Sequence, residues 1–118
     1  MEIYKEFHFE AAHFLTQVPV GHQCGRVHGH SFRVRIHVKG FVCEKAGWVI
    51  DYADIKAVVE PVIDQLDHQL LNDIEGLENP TSENLAIWLW GRIKPSLNGL
   101  CRVEVFETCT SGCSYSGE

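Results

Sequence analysis

His28-Gly29-His30-Ser31-Phe32-Arg33-Val34-Arg35-Ile36-His37-Val38-Lys39 carries the deciding pattern of this chain. From Ser31 onward Phe32, Val34, Ile36 and Val38 fall on one face and Arg33, Arg35, His37 and Lys39 on the other, until Gly40. A period of two marks a strand with one face buried and one face wet. If the backbone is extended at Gly29 as well, His28 and His30 point to the same side, because strand side chains alternate. Just upstream, Cys24-Gly25-Arg26-Val27 adds a thiol, so one short segment holds a cysteine and two imidazoles spaced by glycines. Two imidazoles on one face are two prospective zinc ligands. A zinc site that does chemistry usually takes a third protein ligand and keeps one position open.

Outward from this strand, residues 2–12 alternate again, with Ile3, Phe7 and Phe9 set against Tyr4, Glu6, His8 and Glu10. Residues 13–27 contain Pro19, Gly21 and Gly25 and read as a long loop. Gly47-Trp48-Val49-Ile50 is a short extended piece, and Asp51 is placed to cap a helix, with Asp54 three residues on. In that helix Ile55, Val58, Val59, Val62, Ile63 and Leu66 recur at helical spacing. Pro61 is expected to kink or end it, since its ring removes a backbone donor. A second helix is predicted from Thr81 or Ser82 through Ile93, stopping before Pro95; it is apolar nearly all round and so should be well buried. Residues 100–108 set Cys101, Val103, Val105 and Glu107 against Leu100, Arg102, Glu104, Phe106 and Thr108, another strand, and residues 111–118 have room for a short fourth. The order is that of an α+β fold, an antiparallel sheet with two helices on one face. Such a sheet has open edges, which points to self-association.

The 118 residues, 45% of them apolar, are sized for one domain spanning 1–118 with a real core. No apolar run approaches the ~20 residues that cross a bilayer, so no membrane partner is expected. Met1-Glu2-Ile3-Tyr4-Lys5-Glu6 lacks the basic and apolar regions of a secretory signal, and a cytoplasmic protein is the default. The formal net charge of -6 argues against nucleic acid, whose binders normally show a basic face. The five cysteines (24, 43, 101, 109 and 113) are an odd number and read as free thiols or ligands.

The candidates for a third metal ligand are His8, His13, His22, His37 and His68, with Cys24 besides. His13 fits best: it ends the first strand beside the small Ala11 and Ala12, and pairing of the two strands would bring it next to the start of the second. Ligation by Cys24, or by Cys109 with Cys113, would instead close a structural site. Asp67-His68 is a second constellation. A carboxylate beside an imidazole orients it and favours its protonated form, which suits a proton relay serving Cys24; it also suits a charged pair at a helix end.

Phe9-Glu10-Ala11-Ala12-His13, Cys24 through His28-Gly29-His30, Val49-Ile50-Asp51-Tyr52, Leu66-Asp67-His68 through Asn72, Pro80-Thr81-Ser82-Glu83-Asn84 and Glu107-Thr108 together resemble the 6-pyruvoyltetrahydropterin synthase superfamily from end to end. The three residues between Cys24 and His28, and the closing run from Glu107 to Tyr115, are similar to its bacterial branch that forms 6-carboxytetrahydropterin in queuosine biosynthesis. The resemblance implies the tunnelling fold, in which the sheets of three subunits close into a barrel and two rings stack, giving a trimer-based homo-oligomer or hexamer with active sites between subunits. It implies Zn2+ on His13, His28 and His30, Cys24 as catalytic cysteine, and Asp67 and His68 as its relay partners. Glu107 would anchor the pterin ring, since a carboxylate can accept from the ring's amino group and adjacent N–H. Thr81 or Ser82 would also meet the pterin, unless it serves only as a helix cap.

The implied reaction is a zinc-dependent lyase step from 7,8-dihydroneopterin triphosphate to 6-carboxy-5,6,7,8-tetrahydropterin, acetaldehyde and triphosphate. A pyruvoyl-forming synthase or a relative cleaving the side chain of sepiapterin is the nearest alternative. A non-catalytic, zinc-stabilised binding module is the alternative from another class.

Overall fold

The computed structural model describes residues 1–118. In chain order it contains β1 (Glu2–His13), β2 (His28–Lys39), α1 (Tyr52–Asp64), β3 (Gln69–Leu70), α2 (Ser82–Ile93), β4 (Leu100–Phe106) and β5 (Gly112–Tyr115). The strands form one sheet in the order β3-β1-β2-β4-β5. All neighbours are antiparallel except β3, which runs parallel to β1 through Ala11↔Gln69 and Ala12↔Leu70. That short parallel strand is absent from the sequence pattern, because two residues carry no period.

Alternation decides the faces. Phe7, Phe9 and Ala11 of β1, Phe32, Val34, Ile36 and Val38 of β2, and Val103 and Val105 of β4 are all buried on one side. They meet Ile55, Val59, Val62 and Ile63 of α1 and Leu85, Ala86, Leu89 and Ile93 of α2 in a single core of 23 residues. At roughly 1.5–3 kcal/mol for each large side chain removed from water, this burial is the main force closing helices onto sheet. Across β1 and β2 the Phe9 and Phe32 rings stack with centroids 5.0 Å apart, fixing the register at the end where the metal-type residues lie. No helix covers the opposite face. Glu6 there bridges Arg33 and Arg35, and no helix of the chain is long and apolar enough to cross a membrane.

Several expectations need correction. β2 starts at His28, not Ser31, so His28-Gly29-His30 is itself strand. α1 neither stops nor breaks at Pro61 but continues to Asp64. Pro61 and Ala57, whose carbonyl loses its partner, both lie on the exposed side, where water can take over the bond. The Asp51 cap is present, its carboxylate accepting from the Ala53 N–H at 2.9 Å. The 47–50 stretch forms bends rather than a strand. α2 is not buried all round, because Asn84, Ile87 and Gly91 make an exposed stripe at helical spacing. β4 ends at Phe106, leaving Glu107 and Thr108 just past it. A bulge also sets His37 opposite Arg102 but Val38 opposite Leu100, so Cys101 is the extra residue. This is why Leu100 is buried although alternation groups it with Arg102 and Glu104.

Candidate metal centre

The antiparallel register of β1 and β2 sets His13 directly opposite His28 and Ala11 opposite His30. These three histidines continue the buried face past Phe9 and Phe32, at the end where the core opens. Ring centroids lie 4.6 Å apart for His13 and His28, 5.1 Å for His13 and His30 and 4.9 Å for His28 and His30. One ring nitrogen from each falls within 4.8 Å of the other two, and no other group of His, Cys, Asp or Glu in the chain converges in this way.

Two of the rings are held by backbone carbonyls. His13 Nδ1 is 2.8 Å from the Pro80 carbonyl oxygen and His28 Nδ1 is 2.7 Å from that of Arg26. A carbonyl only accepts, so each Nδ1 carries a proton, and in the neutral ring Nε2 is the nitrogen left with a lone pair. His13 is 1% exposed, and its Nε2 is the one buried side-chain nitrogen or oxygen in the chain without a hydrogen-bond partner. Burial without a partner costs on the order of 1–3 kcal/mol unless something binds there. Burial also pushes the His13 pKa below its ordinary 6.5, against the raising effects of the Pro80 carbonyl and the Glu107 carboxylate. A neutral imidazole with an unpaired Nε2, facing the rings of His28 and His30, fits a divalent metal; the Pro80 and Arg26 carbonyls behind His13 and His28 fix the tautomers such a site needs.

The mouth of this cluster is a cavity of about 320 Å³ lined by His13, His28, His30, Leu15, Gln23, Cys24 and Glu107. Cys24 sits in the middle of a 3-10 turn, Gln23–Gly25, tied down by the bond from the Leu15 N–H to the Cys24 carbonyl at 2.8 Å. The Glu107 carboxylate is 3.5 Å from His13 Nε2, at the end of the apolar face of β4 that carries Val103 and Val105. Cys24 and Glu107 thus share the cavity without joining the cluster, which leaves a three-ligand set open on one side. Leu15 and Gln23 were missed in the sequence, since neither residue type nor spacing marks them.

Other candidates lie elsewhere. Asp67 and His68 form a pair at 2.9 Å, but His68 lines a different cavity of about 510 Å³ with Glu10, Gly29, His30, Ser31 and Gln69. Within one chain His30 alone lines both cavities, and the Asp67–His68 pair does not meet Cys24. The Asp67 carboxyl sits below its usual range, first because it accepts the Glu10 N–H at 2.9 Å and then because of His68. His68 adopts φ 58 and is 77% exposed, a strained backbone supporting a side chain that packs on little of its own chain. Thr81 caps α2, its hydroxyl accepting the Asn84 N–H at 3.0 Å, and lies outside the lining of both cavities; the Ser82 hydroxyl turns to Glu83. His8 pairs with Glu6, His22 accepts the Cys24 N–H through Nδ1, and His37 is sandwiched between Glu2 and Glu104. Cys109 is exposed and Cys113 lies on β5, where burial raises its pKa.

A three-histidine cluster with an open side, a thiol and a carboxylate is the donor arrangement of a catalytic centre; a structural one would be closed by a fourth protein ligand. The chain belongs to the 6-pyruvoyl tetrahydropterin synthase family, which matches it over residues 2–118. The 6-carboxy-5,6,7,8-tetrahydropterin synthase of Synechocystis sp. is 45% identical over 96% of this chain and 91% of its own length. A dihydroneopterin monophosphate aldolase of Pyrococcus furiosus is 38% identical over 84% of this chain and 82% of its own. Among solved structures, the 6-pyruvoyl tetrahydropterin synthase of Caenorhabditis elegans superposes with a TM-score of 0.92 at 27% identity, over 100% of this chain and 96% of its own.

Proposed function

We propose that this chain, as one pterin-synthase-like domain, is a zinc-dependent lyase. It converts 7,8-dihydroneopterin triphosphate and one water to 6-carboxy-5,6,7,8-tetrahydropterin, acetaldehyde and triphosphate on the route to queuosine. The observation that carries this is the convergence of His13, His28 and His30 with Cys24 and Glu107 on one cavity, together with the similarity to the Synechocystis synthase.

His13, His28 and His30 would hold a zinc ion, which would supply Lewis-acid chemistry to the oxygens of the substrate side chain. Glu107 accepts two hydrogen bonds from the pterin's amino group and adjacent N–H, placing the ring at the cavity mouth. Cys24, as thiolate, takes and returns a proton on one side of the side chain. His68, oriented by Asp67, serves as acid and base on the other side. Because His68 lines a separate cavity of its own chain, a neighbouring subunit brings it to Cys24. The trimer-based assembly this requires accords with the open β5 edge, with the length of β1 that the two-residue β3 leaves unpaired, and with a radius of gyration of 15.3 Å, above the ~13.5 Å of a compact chain of this length. The protein works in the cytoplasm.

Product analysis by mass spectrometry from dihydroneopterin triphosphate tests the assignment. Carboxytetrahydropterin with acetaldehyde is expected. A pyruvoyl product without acetaldehyde would overturn it in favour of the reaction named for the Caenorhabditis elegans structure.

A further inference from the structure

Asn72 and Asn84 stand in two of the recognised sequence patches, yet neither lines a cavity. Their contacts give them a common task. β1 ends at His13, and the next residue, Phe14, has no strand to pair with. The Asn72 side chain takes the strand's place: its Oδ1 accepts the Phe14 N–H at 3.0 Å, and its Nδ2 donates to the Phe14 carbonyl at 2.8 Å. One amide thereby satisfies both backbone groups, extending the β1–β3 ladder by one step where the chain turns away after Leu70. The same Nδ2 reaches the Glu78 carbonyl at 3.3 Å.

From there the clasp runs to the histidine. Asn79 Oδ1 accepts the Thr16 N–H at 3.2 Å, and the Asn79 carbonyl accepts from both the Thr81 N–H at 2.9 Å and Asn84 Nδ2 at 2.8 Å. These bonds tighten the turn around Pro80, whose ring already fixes its own φ. Pro80 is buried, and its carbonyl accepts the His13 Nδ1–H at 2.8 Å. The backbone just past His13, at Phe14 and Thr16, is therefore tied, through side-chain amides, to the loop that sets its ring orientation.

We propose that Asn72, with Asn79, is a positioning residue of the metal centre: it clamps the end of β1 to the Pro80 loop so that His13 Nε2 stays aimed at the position shared with His28 and His30. The proposal rests on the reading of these histidines as a zinc site. Groups behind a metal ligand typically change affinity by about 10–100-fold when removed.

The test is competitive zinc titration of the purified protein against a chromophoric chelator, with thermal midpoints of the metal-free forms. Asn72→Ala is expected to bind zinc about 10–100-fold more weakly than the parent. Val59→Ala, which truncates a fully buried side chain of α1 and destabilises the fold at a position adjacent in sequence to no residue of the clasp, should stay within about 3-fold of the parent. Parent-like affinity in Asn72→Ala, or equal weakening in Val59→Ala, would overturn the proposal. Should Asn72→Ala fail to fold, Asn79→Ala gives up one side-chain bond at the outer end of the clasp and is expected to weaken zinc several-fold; no change there would overturn it equally. Failure of the zinc reading itself shows differently, as a parent protein that binds no zinc or whose zinc survives His13→Ala.

Discussion

His13 and His37 are the two buried polar side chains of this protein, and they are opposites. His37, 5% exposed on the open side of the sheet, has both ring nitrogens engaged, Nδ1 facing Glu2 at 3.0 Å and Nε2 bonded to Glu104, with Arg102 beside them. His13 is engaged on Nδ1 and bare on Nε2. A histidine with both sides satisfied has no further chemistry to offer, whereas a buried nitrogen left without a partner is held for a ligand. The contrast extends beyond histidines: the Thr81 hydroxyl is used in a cap, while Cys24 faces a cavity.

Substitution is the strongest way to break this contrast. His13→Ala should lose stoichiometric zinc and turnover together, measured by metal analysis and product assay, and His37→Ala should keep both. His37→Ala should instead be destabilised by about 1–3 kcal/mol in denaturant unfolding, because the part-buried Glu104 carboxylate loses its hydrogen bond with Nε2. Equal zinc loss in both variants would erase the distinction. Cys24→Ala is expected to retain zinc while turnover falls by about 10²–10⁴-fold, the usual range for a lost acid–base group. Loss of zinc with the fold would make Cys24 a structural ligand.

Acid sharpens the comparison on a smaller scale. Because burial depresses the folded pKa of His13 below 6.5, the unfolded chain binds the extra proton more readily. Stability of the metal-free protein is therefore full above about pH 6.5 and declines as pH drops toward the depressed folded value. A second decline belongs to Asp67 and Glu6, whose folded pKa values lie below the ordinary 3.8 and 4.5; the stability they contribute is present above those values and lost as pH falls through the folded ones. Thermal midpoints across this range should show both declines in the parent and only the acidic one in His13→Ala. The smallest effect is expected for Thr81→Ala: about 1 kcal/mol of lost capping, with KM for the pterin unchanged. A large rise in KM would return Thr81 to the substrate site.

The histidine contrast also shows where sequence reasoning reaches and where it stops. Five histidines stood as candidates for the third ligand. His13 was favoured because it ended one strand beside the start of another, and the register Ala11↔His30, His13↔His28 is the physical form of that argument. Alternation and capping expose both long strands, both helices and the Asp51 cap, and leave the second cap between Thr81 and Ser82, because each of those signals is local. What stayed hidden depends on long-range pairing. The two-residue β3 has no pattern of its own, and the bulge at Cys101 breaks a period that the sequence continues. Residue spacing likewise gives no sign that Asp67–His68 and Cys24 open onto different cavities. Burial of His37 was equally illegible, since it follows from Glu2, Arg102 and Glu104 arriving from two other strands.

In the proposed function the bare Nε2 of His13 marks a zinc position shared with His28 and His30, with Glu107 at hand for the pterin. A crystal structure of the zinc-loaded protein with dihydroneopterin, phased at the zinc absorption edge, tests it most directly. An anomalous peak is expected about 2.0–2.1 Å from a nitrogen of each of the three histidines, with the amino edge of the pterin on Glu107. Zinc bound elsewhere, or a pterin seated away from Glu107, would contradict it.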